Sequence, residues 1–358
     1  MDTPWGLLAD LNPDDRDLAY RILATDKHQL LEGLVVENTF DQLLQPLCTG
    51  SQQNLVQLDV ETIIVPIRDL SRKWAAFIWV RSKTTGLGRY LEALGKIAKV
   101  YFVVFRDGDF WTWPMAAGKR RGDMVALSTL VGSIGKRNKQ PTEVDAGIRD
   151  EERQRAAVWG YLSTFYKGRA LWERIVLMRI FINHGIQPYF YGTWNLDRIC
   201  LYNDQLWMLE VKHKFPFGGR NLALGINDGE LLMMDLASQA GIRTAYMIIV
   251  KPVWSKDVGS MYLHAELAKR EKAAVIGVMM DQEKIAAIKA GKSASSPSHT
   301  SIDGSKELKF KSIPAKDFAF LGNFSESSLV IAGRISTFLD GQPLPQVTDA
   351  QLRALKMD

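Results

Sequence analysis

Between residues 168 and 250, helix-like and strand-like spacings of apolar residues follow one another along the chain. The order of these patterns limits the fold more than any other feature of the sequence. Apolar residues recur at helical spacing over 169–183, and His184-Gly185 is typical of the end of a helix. Strand patterns, a second helix period and a final apolar strand follow; they cover 188–191, 196–202, 205–212, 228–239 and 246–250. The predicted order is α-β-β-β-α-β, which defines an α/β unit.

Two of these predicted strands form a hairpin that carries charged side chains. Asp197 lies on one arm, and Glu210-Val211-Lys212 ends the other arm after an apolar run. Residues on paired arms lie side by side, and Glu210 and Lys212 point to one face because they are two apart. Charges at the end of an apolar strand are costly unless they are paired or metal-bound. We therefore predict a Mg²⁺ site made by the Asp197 and Glu210 carboxylates and the Val211 carbonyl, with Lys212 beside the attacking water.

The segment 168–250 resembles the PD-(D/E)xK nuclease superfamily, whose restriction-endonuclease-like fold has an αβββαβ core. Asp197 matches the aspartate of the family motif, Glu210 its second acid and Lys212 its lysine. Leu196 stands where the family name has proline, which many members also lack. The resemblance covers about 85 of the 358 residues. It implies a Mg²⁺-dependent deoxyribonuclease, a hydrolase of phosphodiester bonds in which Mn²⁺ can substitute.

The resemblance also points to two glutamates outside the hairpin. Glu173, on the first predicted helix, matches a catalytic glutamate that many members carry there, where it would bind metal through water or a second cation. Alternatively, Glu173 is an exposed helix residue. Glu230 lies where related nucleases often have a glutamine or glutamate on the following helix. The spacing from Asn227 to Glu230 is equally that of a capping box, in which Glu230 satisfies the first helix amides.

Several basic residues are candidates for contact with a nucleic-acid backbone. His213, Lys214 and Arg220 follow the motif on a predicted loop, for which an ordinary mobile loop is the alternative. The remaining candidates are Lys167, Arg169, Lys119, Arg120 and Arg121. The last three begin a basic stretch, 118–158, which we interpret as a linker and helix. It is either a solvated tether or an arm that contacts phosphates.

The length of the chain predicts about two domains with an appendage. We expect a smaller α/β or α+β domain before the restriction-endonuclease-like core, with a recognition or partner-binding role. The predicted boundaries are 1–117 for this domain, 118–158 for the linker, 159–258 for the core and 259–358 for a helical extension with a flexible loop at 291–305.

The amino-terminal domain repeats the element order of the core, starting from Asp69 and a strand near residue 80. Arg81-Ser82-Lys83 stands where Glu-x-Lys would be, so a true copy would lack the second acid. Such a copy could hold DNA or a partner without binding metal. The same periodicity occurs in any α/β unit, and chance similarity is the other interpretation.

Composition excludes several classes of protein. The formal charge of +5 permits a polyanion partner without requiring one. Cys48 and Cys200 are too few for a disulfide scaffold or a cysteine zinc site. An apolar run of about 18 residues, which a membrane span needs, is not found in the sequence. Neither a secretory pattern nor an ATP-binding loop is recognisable. We expect a cytoplasmic protein without membrane contact.

The sequence therefore predicts a metal-dependent DNA endonuclease, in phage defence, restriction or mobile-element processing. The alternative is a non-catalytic nucleic-acid-binding or assembly subunit that keeps the nuclease fold. RNA cleavage or junction resolution on the same fold is a third hypothesis. Double-strand cutting would need two active sites, and hence a second copy or a partner protein.

Overall fold

The computed structural model of the chain describes residues 1–49, 54–69, 72–135, 144, 149–296 and 308–358. It is a mixed α/β protein built on two large mixed sheets, one of seven strands and one of six. The α/β class predicted from the sequence is confirmed at this level. Within the described ranges, no helix is both long and apolar enough to cross a lipid bilayer.

The first sheet has seven strands and is formed mainly by the amino-terminal part of the chain. In spatial order its strands are Trp194–Leu196, Val60–Pro66, Trp74–Val80, Lys99–Arg106, Asp109–Ala116 and Lys119–Arg120, and Val125–Ala126 also pairs with Asp109–Ala116. The central strand Trp74–Val80 consists of apolar residues that are buried from Ala75 onward. Burial of successive residues is expected for a strand covered on both faces.

The second sheet has six strands and carries the predicted hairpin. In spatial order its strands are Ala319–Asn323, Ala274–Met279, Arg243–Val250, Gln205–Lys214, Arg198–Tyr202 and Leu55–Gln57. Arg243–Val250 is buried from its second residue to its last, again as expected for a strand covered on both faces.

The two sheets repeat one order of strand pairing. In the first sheet, Val60–Pro66 pairs antiparallel with Trp74–Val80, which continues through the helix Leu87–Gly95 into the parallel strand Lys99–Arg106. Lys99–Arg106 then pairs antiparallel with Asp109–Ala116. In the second sheet, the same order occurs around the helix Asp228–Gln239. Both helices pack in one apolar core with side chains from both sheets. The chain therefore consists of two topologically similar halves that share a core.

The halves exchange elements with each other. Leu55–Gln57, from the first half, pairs with the second sheet, and Trp194–Leu196, from the second half, pairs with the first sheet. The long helix His28–Thr49 packs on the second sheet, where Phe40 contacts the cluster around Trp207. Conversely, the helix 169–186 packs on the first sheet. Each sheet is thus completed by a helix and a short strand of the other half.

This exchange corrects the predicted domain boundaries. The segments 1–117 and 159–258 are not consecutive independent domains, because each supplies a helix and a strand to the other. The predicted linker does not begin at residue 118, since Lys119–Arg120 and Val125–Ala126 are strands of the first sheet and Leu127–Ile134 is a helix. The helix predicted within 118–158 is present at Glu151–Ala157, whereas residues 136–143 and 145–148 lie outside the described residues.

The carboxy-terminal extension is also less helical than predicted. Ala274–Met279 and Ala319–Asn323 are strands of the second sheet, and Leu308–Pro314 lies in a three-stranded sheet with Ala223–Asn227 and Ala294–Ser296. Most of the predicted loop 291–305 lies outside the described residues. The predicted strand 188–191 was wrong, because Gln187–Tyr189 is a 3₁₀ turn and the strand begins at Trp194.

The remaining elements frame the sheets. The other helices are Arg16–Leu23, Glu151–Ala157, Val158–Leu162, Ser163–Phe165, Tyr262–Ala265, Leu267–Lys272, Gln282–Ala290, Ser328–Leu339 and Asp349–Leu355, with short 3₁₀ turns at Leu8–Asp10 and Ala315–Asp317. The helix 169–186 alternates α and π segments: Arg169–Leu171, Trp172–Val176, Leu177–Ile180 and Phe181–Ile186. A short hairpin, Asp2–Thr3 with Gly6–Leu7, starts the chain.

Candidate active site

The hairpin of the second sheet sets the register of the candidate site. Its two-residue turn, Asn203-Asp204, has φ of 44° and 61°, the left-handed values that a type I′ turn needs and that asparagine and aspartate tolerate. Arg198 pairs with Leu209, so Asp197 lies next to Glu210 just beyond the last pair. Asp197 is also the residue at which the chain passes from the first sheet to the second.

The structure brings Asp197, Glu210 and Lys212 together. The ammonium of Lys212 lies 2.8 Å from Asp197 Oδ2 and 2.5 Å from Glu210 Oε1. The amide of Val211 also donates to Asp197 Oδ2, at 3.3 Å. Both acids contact one ammonium, so the two contacting oxygens lie no farther apart than the sum of those distances. The structure thus brings the three predicted residues together, with the Lys212 ammonium between the two acids.

Because the side chains of Asp197 and Glu210 are buried beside Lys212, the three charges affect one another strongly. Burial, together with the neighbouring Asp197 carboxylate, raises the pKa of Glu210 well above its usual value. Burial lowers the pKa of Lys212, but the Asp197 and Glu210 carboxylates outweigh that effect and hold the pKa well above its usual value. Lys212 is therefore protonated at neutral pH. Two buried acids side by side are a charge arrangement that a bound cation stabilises.

Glu173 does not join this group, contrary to the expectation from the resemblance. It is exposed, and its helix, 169–186, packs on the first sheet rather than on the second. On the corresponding face of the second sheet lies His28–Thr49, which comes from the other half of the chain, with Ser328–Leu339 in the same apolar cluster. The glutamate that the helix His28–Thr49 carries towards the site is Glu37, which accepts a hydrogen bond from Arg198 at 3.0 Å.

Glu37 and Asp41 hold Arg198 next to the candidate acids. Arg198 Nε donates to Asp41 Oδ1 at 2.7 Å, and its other contact is to Glu37. Burial raises the pKa of Glu37 to about 7, although Arg198 lowers it; Asp197, which is near enough to act on it, raises it further. Sequence reasoning missed this helix. The available signal was the pair Glu37 and Asp41, four residues apart in a helix that is otherwise largely buried.

Glu230 forms a capping box with Asn227, one of the two interpretations of their spacing. Its amide donates to Asn227 Oδ1 at 2.8 Å, and its carboxylate accepts from the Asn227 amide at 3.0 Å. The same carboxylate accepts from Lys214 Nζ at 3.1 Å and from the Tyr246 hydroxyl at 3.3 Å. Lys214 also donates to the Gly225 carbonyl, at 2.8 Å. Lys214 therefore connects the strand to the helix start, rather than presenting a free charge to nucleic acid.

His213 lies on the opposite face of the strand from Lys212, because neighbouring residues of a strand alternate. Its Nε2 is 2.7 Å from the Tyr262 hydroxyl, and the two rings pack together. Burial, with Lys251 and Arg153 nearby, lowers the pKa of His213 well below its usual value. The half-buried His213 ring therefore lies with Tyr262 on the other face of the strand and does not join the candidate acids.

The other basic candidates are spread over the surface. Lys119 and Arg121 are exposed at the edge of the first sheet, whereas the guanidinium of Arg120 packs over the rings of Phe102 and Trp113 at 4.2 and 4.5 Å. The remaining three are also exposed: Lys167, Arg169, whose Nε is 3.5 Å from Asp14, and Arg220. The structure does not gather these six residues around the candidate acids.

Acid is expected to destabilise the fold through histidines that are held neutral. Burial lowers the pKa of His184 and of His264 to about 4, against an ordinary value of 6.5. The folded state thus binds fewer protons than the unfolded state between those values, and the free energy of unfolding falls as the pH falls through that window. We expect a loss of about 1–2 kcal/mol per histidine from pH 6.5 to pH 4.

Urea unfolding at several pH values measures this loss. His264→Gln should flatten the profile between pH 6.5 and pH 4 by about half a proton on average. An unchanged slope in this variant would show that His264 is not held neutral in the folded protein.

Comparison with family models, with curated proteins and with solved structures gives no match to this chain. Within the described part of the chain, no three aspartate, glutamate, histidine or cysteine side chains are grouped so as to hold a metal ion by themselves. The candidate site therefore consists of two protein carboxylates and the groups around them.

Proposed function

We propose that the chain is a metal-dependent nuclease that hydrolyses DNA phosphodiester bonds at Asp197, Glu210 and Lys212. The observation that carries this proposal is the convergence of both carboxylates on the Lys212 ammonium, at 2.8 and 2.5 Å. Phosphoryl-group hydrolysis needs a hard cation, a positioned water and a positive charge near the phosphate oxygens. Two buried acids and a protonated lysine are the protein groups suited to these tasks.

The donor set fits Mg²⁺ or Mn²⁺ better than a softer metal, because both side-chain donors are carboxylate oxygens. Mg²⁺ usually takes one or two carboxylates and keeps its other positions for water and substrate phosphate. The raised pKa of Glu210 reflects its burial first and the neighbouring Asp197 carboxylate second. A divalent cation at this pair would lower the pKa of bound water and offset the negative charge of the phosphate.

The residues of the chain have distinct roles in this proposal. Asp197 and Glu210 hold the cation, and the Val211 carbonyl remains the predicted third ligand. Lys212 is protonated, so it acts as a hydrogen-bond donor to a phosphate oxygen or to the attacking water rather than as a base. Glu37 lies on a helix beside the site, as was expected of Glu173, but its role differs: with Asp41 it positions Arg198 beside Asp197.

A cleavage assay on several substrates tests the proposal. The purified chain is incubated with supercoiled, linear and single-stranded DNA and with single-stranded RNA, in Mg²⁺, in Mn²⁺ or with EDTA. We expect DNA cleavage in either metal and none with EDTA. Cleavage of RNA but not of DNA would favour the third hypothesis, RNA cleavage on the same fold. DNA binding without any cleavage would favour the non-catalytic alternative, a nucleic-acid-binding or assembly subunit.

A further inference from the structure

The first sheet contains a position equivalent to the candidate active site. Val60 pairs with Val80, so Asp59 lies next to Arg81, and the Arg81 amide donates to the Asp59 carbonyl at 3.0 Å. In the second sheet, the last pair is Arg198 with Leu209, and the next residue on each strand puts Asp197 next to Glu210. Arg81 thus occupies the position of Glu210. Asp59 takes the place that the sequence assigned to Asp69, and it lies where the chain passes from the second sheet to the first.

Positively charged side chains converge on Asp59. The Arg81 guanidinium is 3.7 Å from Asp59 Oδ1 and 3.3 Å from Glu61 Oε2. Arg174, on the helix that the second half contributes, forms an ion pair with Asp59. Lys83 follows Arg81 by two residues and is exposed. We call Asp59, Arg81, Lys83 and Arg174 the arginine position.

The chemistry of the arginine position suits an anion rather than a cation. Guanidinium groups bind phosphate oxygens through several donors in a fixed geometry, and here a guanidinium replaces one of the two acids that a hard cation needs. Within the described residues, Arg81 Nε is buried and has no hydrogen-bond partner. Arg174 is 45% exposed, so its guanidinium is accessible to a ligand.

Tyr166 lies near both the arginine position and the candidate active site. The Tyr166 hydroxyl accepts from Asn38 Nδ2 at 3.0 Å. Burial raises the pKa of Tyr166, whereas Asn38, Arg198 and Arg174 lower it. Arg198, beside the candidate acids, and Arg174, at the arginine position, are therefore both close enough to act on this one side chain.

We propose that the arginine position binds a second backbone phosphate of the nucleic acid, without metal and without cleaving it. This inference rests on the proposed function, because it assumes that the ligand of the neighbouring site is a nucleic acid. It also implies that a single chain cuts one strand only, since one of its two equivalent positions lacks the second acid.

Binding to a fluorescent 30-base-pair DNA duplex in EDTA tests the inference without cleavage. The test variant is Lys83→Ala combined with Arg174→Ala, because both side chains reach solvent and their removal spares the half-buried Arg81. The control is Lys269→Ala combined with Lys289→Ala, which likewise removes two positive charges; each of these lysines pairs with one acid, as Arg174 does. Thermal unfolding of both double variants checks that they are folded.

We expect the test variant to bind about tenfold more weakly at 0.1 M salt, with the slope of log K against log salt shallower by about two. The control should bind like the parent protein. Equal affinity and slope in the test variant would overturn the inference, as would failure of the parent to bind duplex DNA in EDTA. Arg81→Gln provides a second readout, with a slope shallower by about one.

The same duplex, incubated with Mg²⁺, separates this inference from the proposed function. Binding that depends on Lys83 and Arg174 without any cleavage would overturn the nuclease proposal and leave the phosphate-binding position standing. Cleavage combined with binding that does not depend on Lys83 and Arg174 would support the nuclease proposal and overturn the phosphate-binding position. Nicking of one strand by the parent supports both.

Discussion

Replacing Glu210 with Gln is expected to lower the rate of DNA cleavage by about 10²–10⁴-fold, the range associated with loss of a group that activates the nucleophile. The substitution keeps the size and shape of the side chain but removes one of the two negative charges that would hold the cation. It also removes the charge from a buried acid whose pKa is already raised, so the fold should be preserved. Asp197→Asn should have an effect of similar size.

The exchange of helices between the halves supplies a matched pair of variants. Glu173→Gln should cleave like the parent, because Glu173 is exposed on a helix that packs on the first sheet. Glu37→Gln should lower cleavage by about 10–100-fold, the usual cost of disturbing a residue that positions a metal site. Its Arg198 contact is 3.0 Å long and lies next to Asp197.

Initial rates on supercoiled DNA in Mg²⁺, with circular dichroism as a check of folding, measure all these variants. If Glu173→Gln lost activity and Glu37→Gln kept it, the glutamate expected from the family resemblance would be the functional one. The role given to Glu37 from the packing of its helix would then be wrong. Full activity in Glu210→Gln would place the chemistry elsewhere in the molecule.

Removing Asp26 is expected to have the largest effect on stability. Asp26 is 3% exposed and accepts from Arg179 Nε at 2.6 Å, from Arg179 Nη2 at 2.9 Å and from Asn183 at 2.9 Å. Arg179 is itself buried. The pair joins the start of the chain to the helix 169–186, so it connects the two halves.

Asp26→Ala leaves a guanidinium buried without its partner, which costs about 3–5 kcal/mol of unfolding free energy. The control is Glu151→Gln, because the ion pair of Glu151 with Arg155 is exposed and such pairs contribute at most about 1 kcal/mol. Urea denaturation measures both variants. A loss below about 1 kcal/mol in Asp26→Ala would mean that this buried pair does not hold the halves together.

Local sequence was sufficient to predict the hairpin and the positions of its charged residues. The strand period of 205–214 and the two-residue turn fix the register within a few residues, and register alone puts Asp197 beside Glu210. The capping box at Glu230 was also predictable, because it depends on residues three apart.

Exchange between the halves could not be predicted in the same way. The apolar face of a helix indicates that the helix packs on a sheet, but it does not specify which of two similar sheets. Glu173 is the helix glutamate that precedes the hairpin most closely in sequence, whereas Glu37, which lies beside the site, is 160 residues from Asp197. Ala274–Met279 was assigned to a helix because a six-residue apolar run fits a buried helix as well as a buried strand.

The most direct test of the account is to titrate the protein with Mn²⁺ and measure free Mn²⁺ by electron paramagnetic resonance, without nucleic acid. We expect Mn²⁺ to bind at the Asp197 and Glu210 pair. Binding should be lost in Asp197→Asn and in Glu210→Gln and unaffected by Glu173→Gln. Equal Mn²⁺ binding by the parent and by Asp197→Asn, or no binding by the parent at millimolar Mn²⁺, would contradict a metal site at these two acids.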